Sequence, residues 1–138
     1  MAEALAALGV AANILAFVDF ASKFTLTAAH AFRSTDGLID EHVDLDMITK
    51  DLKAQITALE SVRPDDEDLS MLLAKAQGIA GDLEKLLSHL KRLADNGWLA
   101  SLIKSVTAAG KRGKIEDLQR RLFKLREQIC FRLHVLIL

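Results

Sequence analysis

Four histidines, one cysteine, a run of four carboxylates and a glycine-lysine stretch are the residues of this chain whose types could do chemistry. A zinc site needs three or four His, Cys or carboxylate side chains at short, regular spacing. His30, His42, His89 and His134 fall on different segments at no such spacing, so no metal site is expected. Cys130 lies between Ile129 and Phe131 with no His or Asn one turn away, which predicts a buried structural thiol and not a nucleophile. Gly110-Lys111-Arg112-Gly113-Lys114 lacks the G-x-x-x-x-G-K-[ST] order of a phosphate-binding loop and the strand before it. It reads as a basic turn. Asp65-Asp66-Glu67-Asp68 follows Pro64 directly, where carboxylates cap the free N–H groups of a helix start and meet the positive end of its dipole. No catalytic or cofactor-binding residue is expected, and the chain is not read as an enzyme. Nucleic acid is not an expected partner either, because the basic stretch lacks interleaved aromatics and the net charge is −1.

What remains is a set of helices. The chain has 138 residues, 51% of them hydrophobic, with no Tyr, one Trp and one Pro, and it is dominated by Ala, Leu, Lys and acidic residues. That composition predicts a single all-α domain, a helical bundle of four to five helices around one core. Apolar spacing marks five segments. The first runs from about Ala2 to Phe32 and ends in the turn cluster Arg33-Ser34-Thr35-Asp36-Gly37. The second sets Leu45, Ile48, Leu52, Ile56 and Leu59 at steps of three and four and stops at Pro64. The third has the cleanest stripe, from Leu69 through Leu72, Leu73, Ala76, Ile79 and Leu83 to Leu93, and Asn96-Gly97 ends it. Gly78 and Gly81 interrupt that stripe, which predicts a close helix crossing there. A short fourth helix from Trp98 to about Ala109 precedes the glycine-lysine turn. The fifth, from Lys114, carries the seam Ile115, Leu118, Leu122, Leu125, Ile129, Leu133 and Leu136. Its last turn is apolar on most sides, which predicts that these residues form the N-terminal part of a longer protein.

The first segment differs from the rest, because its first eighteen residues are apolar round nearly the whole circumference. Between Glu3 and Asp19 stand only Ala, Leu, Val, Ile, Phe, one Gly and Asn13. Such a helix must be surrounded by protein or by lipid. Its uncharged run from Ala4 to Val18 is fifteen residues, short of the roughly 20 that cross a hydrocarbon core. Extending it to Phe32 takes Asp19 and Lys23 into the bilayer, so a permanent span is not expected. Glu3 stands where a signal peptide is positive, and a lone Cys130 allows no internal disulfide, which together point to the cytoplasm. The expectation is a helix buried in the bundle at rest. Ala6, Ala7, Gly9, Ala12 and Ala16 permit close helix approach if it leaves the bundle for lipid.

Charge is unevenly spread beneath the net value. Between Asp36 and Asp68 stand eleven Asp/Glu against three Lys/Arg, and between Lys104 and Arg132 nine Lys/Arg against three Asp/Glu. Antiparallel helices can set these charges in a solvated network of little net worth. The other reading is a patch for anionic lipid made by Lys111, Arg112, Lys114, Arg120 and Arg121.

Several stretches together resemble a known family. They are ALGVAANILAFVDFASKF (residues 7–24), AFRSTDGLIDEHVDLDMITKDL (31–52), Trp98, SLIKSV (101–106) and KIEDLQRRLFKLREQI (114–129). The pattern is similar to the HeLo-like N-terminal domain of fungal STAND and NACHT NTPases (NLR-like proteins), relatives of the HeLo domains that execute cell death. The likeness spans essentially the whole chain and rests on common residues. Gly9 is the only glycine before Gly37, where several relatives are richer in glycine. The resemblance implies a helical bundle that forms a homo-oligomer when a sensor or signalling domain, in the same chain or in a partner NLR-type protein, triggers it. It also implies action on the plasma membrane through the N-terminal helix, which maps here to about Ala2 to Phe20.

On this reading Leu5, Leu8, Val10, Ile14, Leu15, Phe17, Val18 and Phe20 enter lipid on activation, the basic patch meets headgroups, and no cofactor takes part. The alternative is a helical adaptor that self-associates or binds another helical domain without touching lipid, using its apolar first and last helices as interfaces.

Overall fold

The apolar stripes fold as helices, but four are made where five segments were marked. The computed structural model describes residues 2–33, 45–95 and 98–137, with side chains described for 5–26, 28, 46–89, 91–92 and 113–136. The helices are α1 (Ala2–Arg33), α2 (Leu45–Glu60), α3 (Glu67–Asp95) and α4 (Trp98–Ile137), and no strand occurs among the described residues. The α2–α3 corner follows its sequence chemistry. Arg63 donates to the carbonyls of Glu60 at 2.5 Å and Val62 at 2.9 Å, satisfying the open end of α2. Asp66 accepts the backbone N–H groups of Asp68 at 2.8 Å and Leu69 at 3.2 Å, which makes it the N-cap of α3.

The break expected at residues 110–113 is absent. α4 runs through it as one helix of 40 residues. Each glycine costs a helix only about 1 kcal/mol relative to alanine, and the intervening lysines and arginine are good helix formers. A Cβ built on Gly113 meets nothing within 4 Å, so neither crowding nor a left-handed backbone asks for glycine there. The close crossing expected at Gly78 and Gly81 is corrected as well. A Cβ at Gly81 meets nothing within 4 Å, and one at Gly78 meets only the Arg121 guanidinium at 3.9 Å.

Three contacts set the directions of the helices. Asp19 of α1 pairs with Arg126 of α4 at 2.7 Å, and Val10 and Leu136 line one cavity, so α1 and α4 are antiparallel. Lys75 reaches Gln128 at 3.1 Å and Asp82 reaches Arg121 at 2.6 Å, so α3 and α4 are antiparallel too. Lys91 meets Asp46 at 3.2 Å and aligns α2 against α3. The result is an up-down-up-down bundle. α1 and α3 each touch all three other helices, whereas α2 and α4 do not meet among the described residues.

One core fills the space between them. α1 contributes Ile14, Phe17, Val18 and Phe24, α2 Leu52 and Leu59, α3 the stripe from Leu69 to Leu87, and α4 Ile115, Leu118, Leu122, Leu125 and Ile129, all buried. Among the described residues Thr25 is the buried polar side chain, and its hydroxyl donates to the Ser22 carbonyl at 2.9 Å. Cys130 does not join this core. A residue turns the helix by about 100°, so with Ile129 facing inward the thiol one step later faces solvent.

Candidate membrane-active helix

α1 does not have the enclosed environment expected of it. Ala11, Ile14, Phe17, Val18, Ala21 and Phe24 face the core, and Leu8, Val10, Leu15 and Phe20 sit half-buried along the flanks of that face. The opposite strip, Leu5, Ala6, Gly9, Ala12, Asn13 and Ala16, is exposed, as are Asp19, Lys23 and Leu26 further along. Leu5 is 68% exposed and Leu26 55%. From Leu5 to Leu26 the helix offers 22 residues of mean hydropathy 1.8, of which Ala11, Ile14, Phe17, Val18, Ala21, Phe24 and Thr25 are buried. By length and composition alone that suffices to cross a bilayer, a test that the core helix of a soluble bundle also passes, and Asp19 and Lys23 lie within it.

The physical reason for the open strip is geometric. Three neighbouring helices cover only the side of α1 they pack against, and side chains as small as Ala and Gly need no cover to keep the exposed apolar area modest. The eight residues expected to enter lipid are therefore spread across environments: Leu5 exposed, Leu8, Val10, Leu15 and Phe20 half-buried, Ile14, Phe17 and Val18 fully buried. Only the first group meets a membrane without rearrangement. Taking Ile14, Phe17 and Val18 out of the core costs roughly 5 to 9 kcal/mol, comparable to the net stability of a domain. Lipid must replace those contacts for α1 to leave.

Asp19 is the one carboxylate in the Leu5–Leu26 span, and its pairing with Arg126 is made by side chains about half exposed. Such a pair is worth at most about 1 kcal/mol, so burial and not charge holds α1 in place. At the end of the bundle where α1 begins, Arg132 of α4 bonds Asp66 and lies 3.4 Å from Asp68. The Arg132 hydrogen bond holds the Asp66 carboxyl below its usual range, helped by the N–H groups of Leu69 and Asp68 and opposed by burial. The same bond raises Arg132.

Three side chains of the basic patch are described, Lys114, Arg120 and Arg121. Arg120 is taken by Asp117 at 2.5 Å, and Arg121 turns to Asp82 at 2.6 Å on α3. Lys114 is exposed, and the side chains of Lys111 and Arg112 lie outside those described. Arg121 instead sits in a groove between α3 and α4 with Lys75, Lys85, Lys114 and Lys124. The α3 lysines were not singled out in the sequence, although Lys75, Asp82 and Lys85 sit at helical spacing beside the Ile79–Leu86 stripe and so had to flank the next helix. Among the described residues no group of three or more His, Cys, Asp and Glu is placed to hold a metal ion.

No family model matches the chain, and comparison with curated proteins and with solved structures finds no match either. The HeLo-like reading accordingly stands on the sequence pattern.

Proposed function

We propose that this chain is a cell-death effector domain, cytoplasmic at rest, that self-associates on activation and permeabilises the plasma membrane through α1. The observation that carries the reading is the apolarity of both sides of α1 over its first turns: one side supplies the core, and the other, Leu5, Ala6, Gly9, Ala12 and Ala16, is left to solvent with Asn13 as its polar residue, before Asp19 and Lys23 follow on the same exposed side. A helix that only completes a core has a polar back. The exposed face makes first contact with the bilayer, and the core face follows as lipid replaces protein around Ile14, Phe17 and Val18.

The test uses the exposed face, since deleting residues 2–20 would also remove Ala11, Ile14, Phe17 and Val18 from the core. Self-associated wild-type chain releases dye from anionic vesicles. The Leu5→Glu, Ala12→Glu, Ala16→Glu triple variant keeps the fold and loses leakage to background, because each charge at bilayer depth costs roughly 2.5 to 3.5 kcal/mol. Unchanged leakage in the triple variant, or none from the wild type, rejects the proposal. The adaptor reading draws on Phe123 and Phe131, 64% and 70% exposed on α4. It predicts that Phe123→Ser with Phe131→Ser abolishes self-association while vesicles stay intact under all conditions.

A further inference from the structure

The groove between α3 and α4 consists of two adjoining cavities of about 540 and 280 Å³ on either side of the Arg121–Asp82 pair. Lys75, Lys85, Lys114, Arg121 and Lys124 line it against two carboxylates, Asp82 and Asp117, so five cations face two anions and the groove carries +3. The chain as a whole is −1. Lys85, Lys114 and Lys124 are exposed and have no partner among the described residues. Gly113 lines one cavity and Gly78 the other, so the missing side chains keep the groove open. Cations gathered this way repel one another until counter-charge arrives.

The counter-charge stands at the α2–α3 corner. Glu60, Asp65, Asp66, Glu67 and Asp68 gather there with Arg63 and, from α4, Arg132, five anions against two cations, for −3. Glu60, Asp65 and Glu67 are exposed and their carboxylates have no ion partner among the described residues. Corner and groove share α3, a straight spacer that separates Glu67 from Lys75 at the near end of the groove by eight residues, about 12 Å, and from Lys85 by eighteen, about 27 Å. A continuous helix cannot fold its start onto its own middle, so the two charges meet only between molecules. We infer that the α3–α4 groove docks the acidic α2–α3 corner of a second copy of this chain. A corner on one copy and a groove on the next make a heterologous, head-to-tail contact that extends unless the rotation closes a ring. This deepens the self-association in the function proposed above, rests on that part of it, and is independent of lipid insertion by α1.

Neutral substitutions test it, since charge reversal on both sides would build a new pair. The groove variant is Lys85→Gln, Lys114→Gln, Lys124→Gln, and the corner variant Asp65→Asn, Glu67→Gln; all five residues are exposed, and circular dichroism confirms that both variants fold. Sedimentation velocity of the full chain without lipid is expected to show mass rising with concentration, with association at least about tenfold weaker at 0.5 M salt than at low salt. Each variant alone stays monomeric where the wild type associates. Mixed, the two give 1:1 dimers and nothing larger, because one working groove and one working corner remain. Wild-type association by the groove variant overturns the inference, as does a mixture that grows past the dimer. A wild-type chain that never associates, while the groove variant loses binding to anionic vesicles, overturns it by assigning the groove to lipid. Association without leakage leaves this contact standing and rejects the membrane reading alone.

Discussion

α1 and α3 hold equivalent places in the bundle, each touching all three other helices, yet they meet solvent in opposite ways. α3 buries Leu69, Leu73, Ala76, Ile79 and Leu83 and turns Lys75, Gln77, Glu84 and Lys85 outward. α1 buries an equally complete stripe and turns Leu5, Ala6, Gly9, Ala12 and Ala16 outward. Core packing explains the inner face of both. It explains the outer face of α3 better, where Met71 and Ala74 are exposed among lysines, Gln77 and Glu84 that suit water. The outer face of α1 is apolar from Leu5 to Ala16 apart from Asn13, with Asp19 and Lys23 beyond, and the proposed function rests on that apolar half.

The comparison breaks first at the core. Phe17 is fully buried on α1 while Ala16 beside it is exposed, so Phe17→Ala is expected to destabilise the domain by about 3 to 5 kcal/mol and Ala16→Ser by under about 0.5, read from denaturant midpoints. Equal effects would mean that α1 is enclosed on both sides. Gly113→Pro sharpens the other helix. A continuous α4 loses about 3 kcal/mol and helical circular dichroism, whereas a turn at that position accepts proline without loss.

Charge should matter at the end of the bundle more than along α1. Arg132→Ala strips Asp66 of its partner and is expected to lower stability near neutral pH. A carboxylate whose folded pKa is depressed adds stability above its unfolded value and loses it as pH falls through the folded one. Wild-type stability should therefore fall below about pH 4, and the variant should show a flatter acid limb in pH-dependent unfolding, having less to lose. A smaller effect has the opposite sign. Gly81→Ala fills open space on an exposed helical position and should stabilise by about 1 kcal/mol; a loss would restore the close crossing.

Helices and core were legible in the sequence because period and burial obey the same geometry. Leu52, Leu59, the α3 stripe from Leu69 to Leu87 and the Ile115–Ile129 seam lie inside as their spacing required. Pro64 and Asp66 placed the α2–α3 corner for the same reason, each acting through its own backbone. What failed was read from residue type without its angle. Cys130 was assigned to the core by its apolar neighbours although it stands one position off the seam, and Gly110 with Gly113 was read as a break although glycine only weakens a helix. The openness of α1 and the groove cations on α3 were hidden because they depend on which side of a helix its neighbours occupy, and periodicity does not record that.

The central claim is that the exposed strip of α1 meets lipid before the core opens. An environment-sensitive fluorophore on Ala16→Cys, in a Cys130→Ser background that removes the exposed native thiol, places a probe on that strip. Anionic vesicles carrying brominated acyl chains should shift its emission to the blue and quench it as dye release begins. Self-association of the chain with the probe unquenched by those lipids would contradict the account.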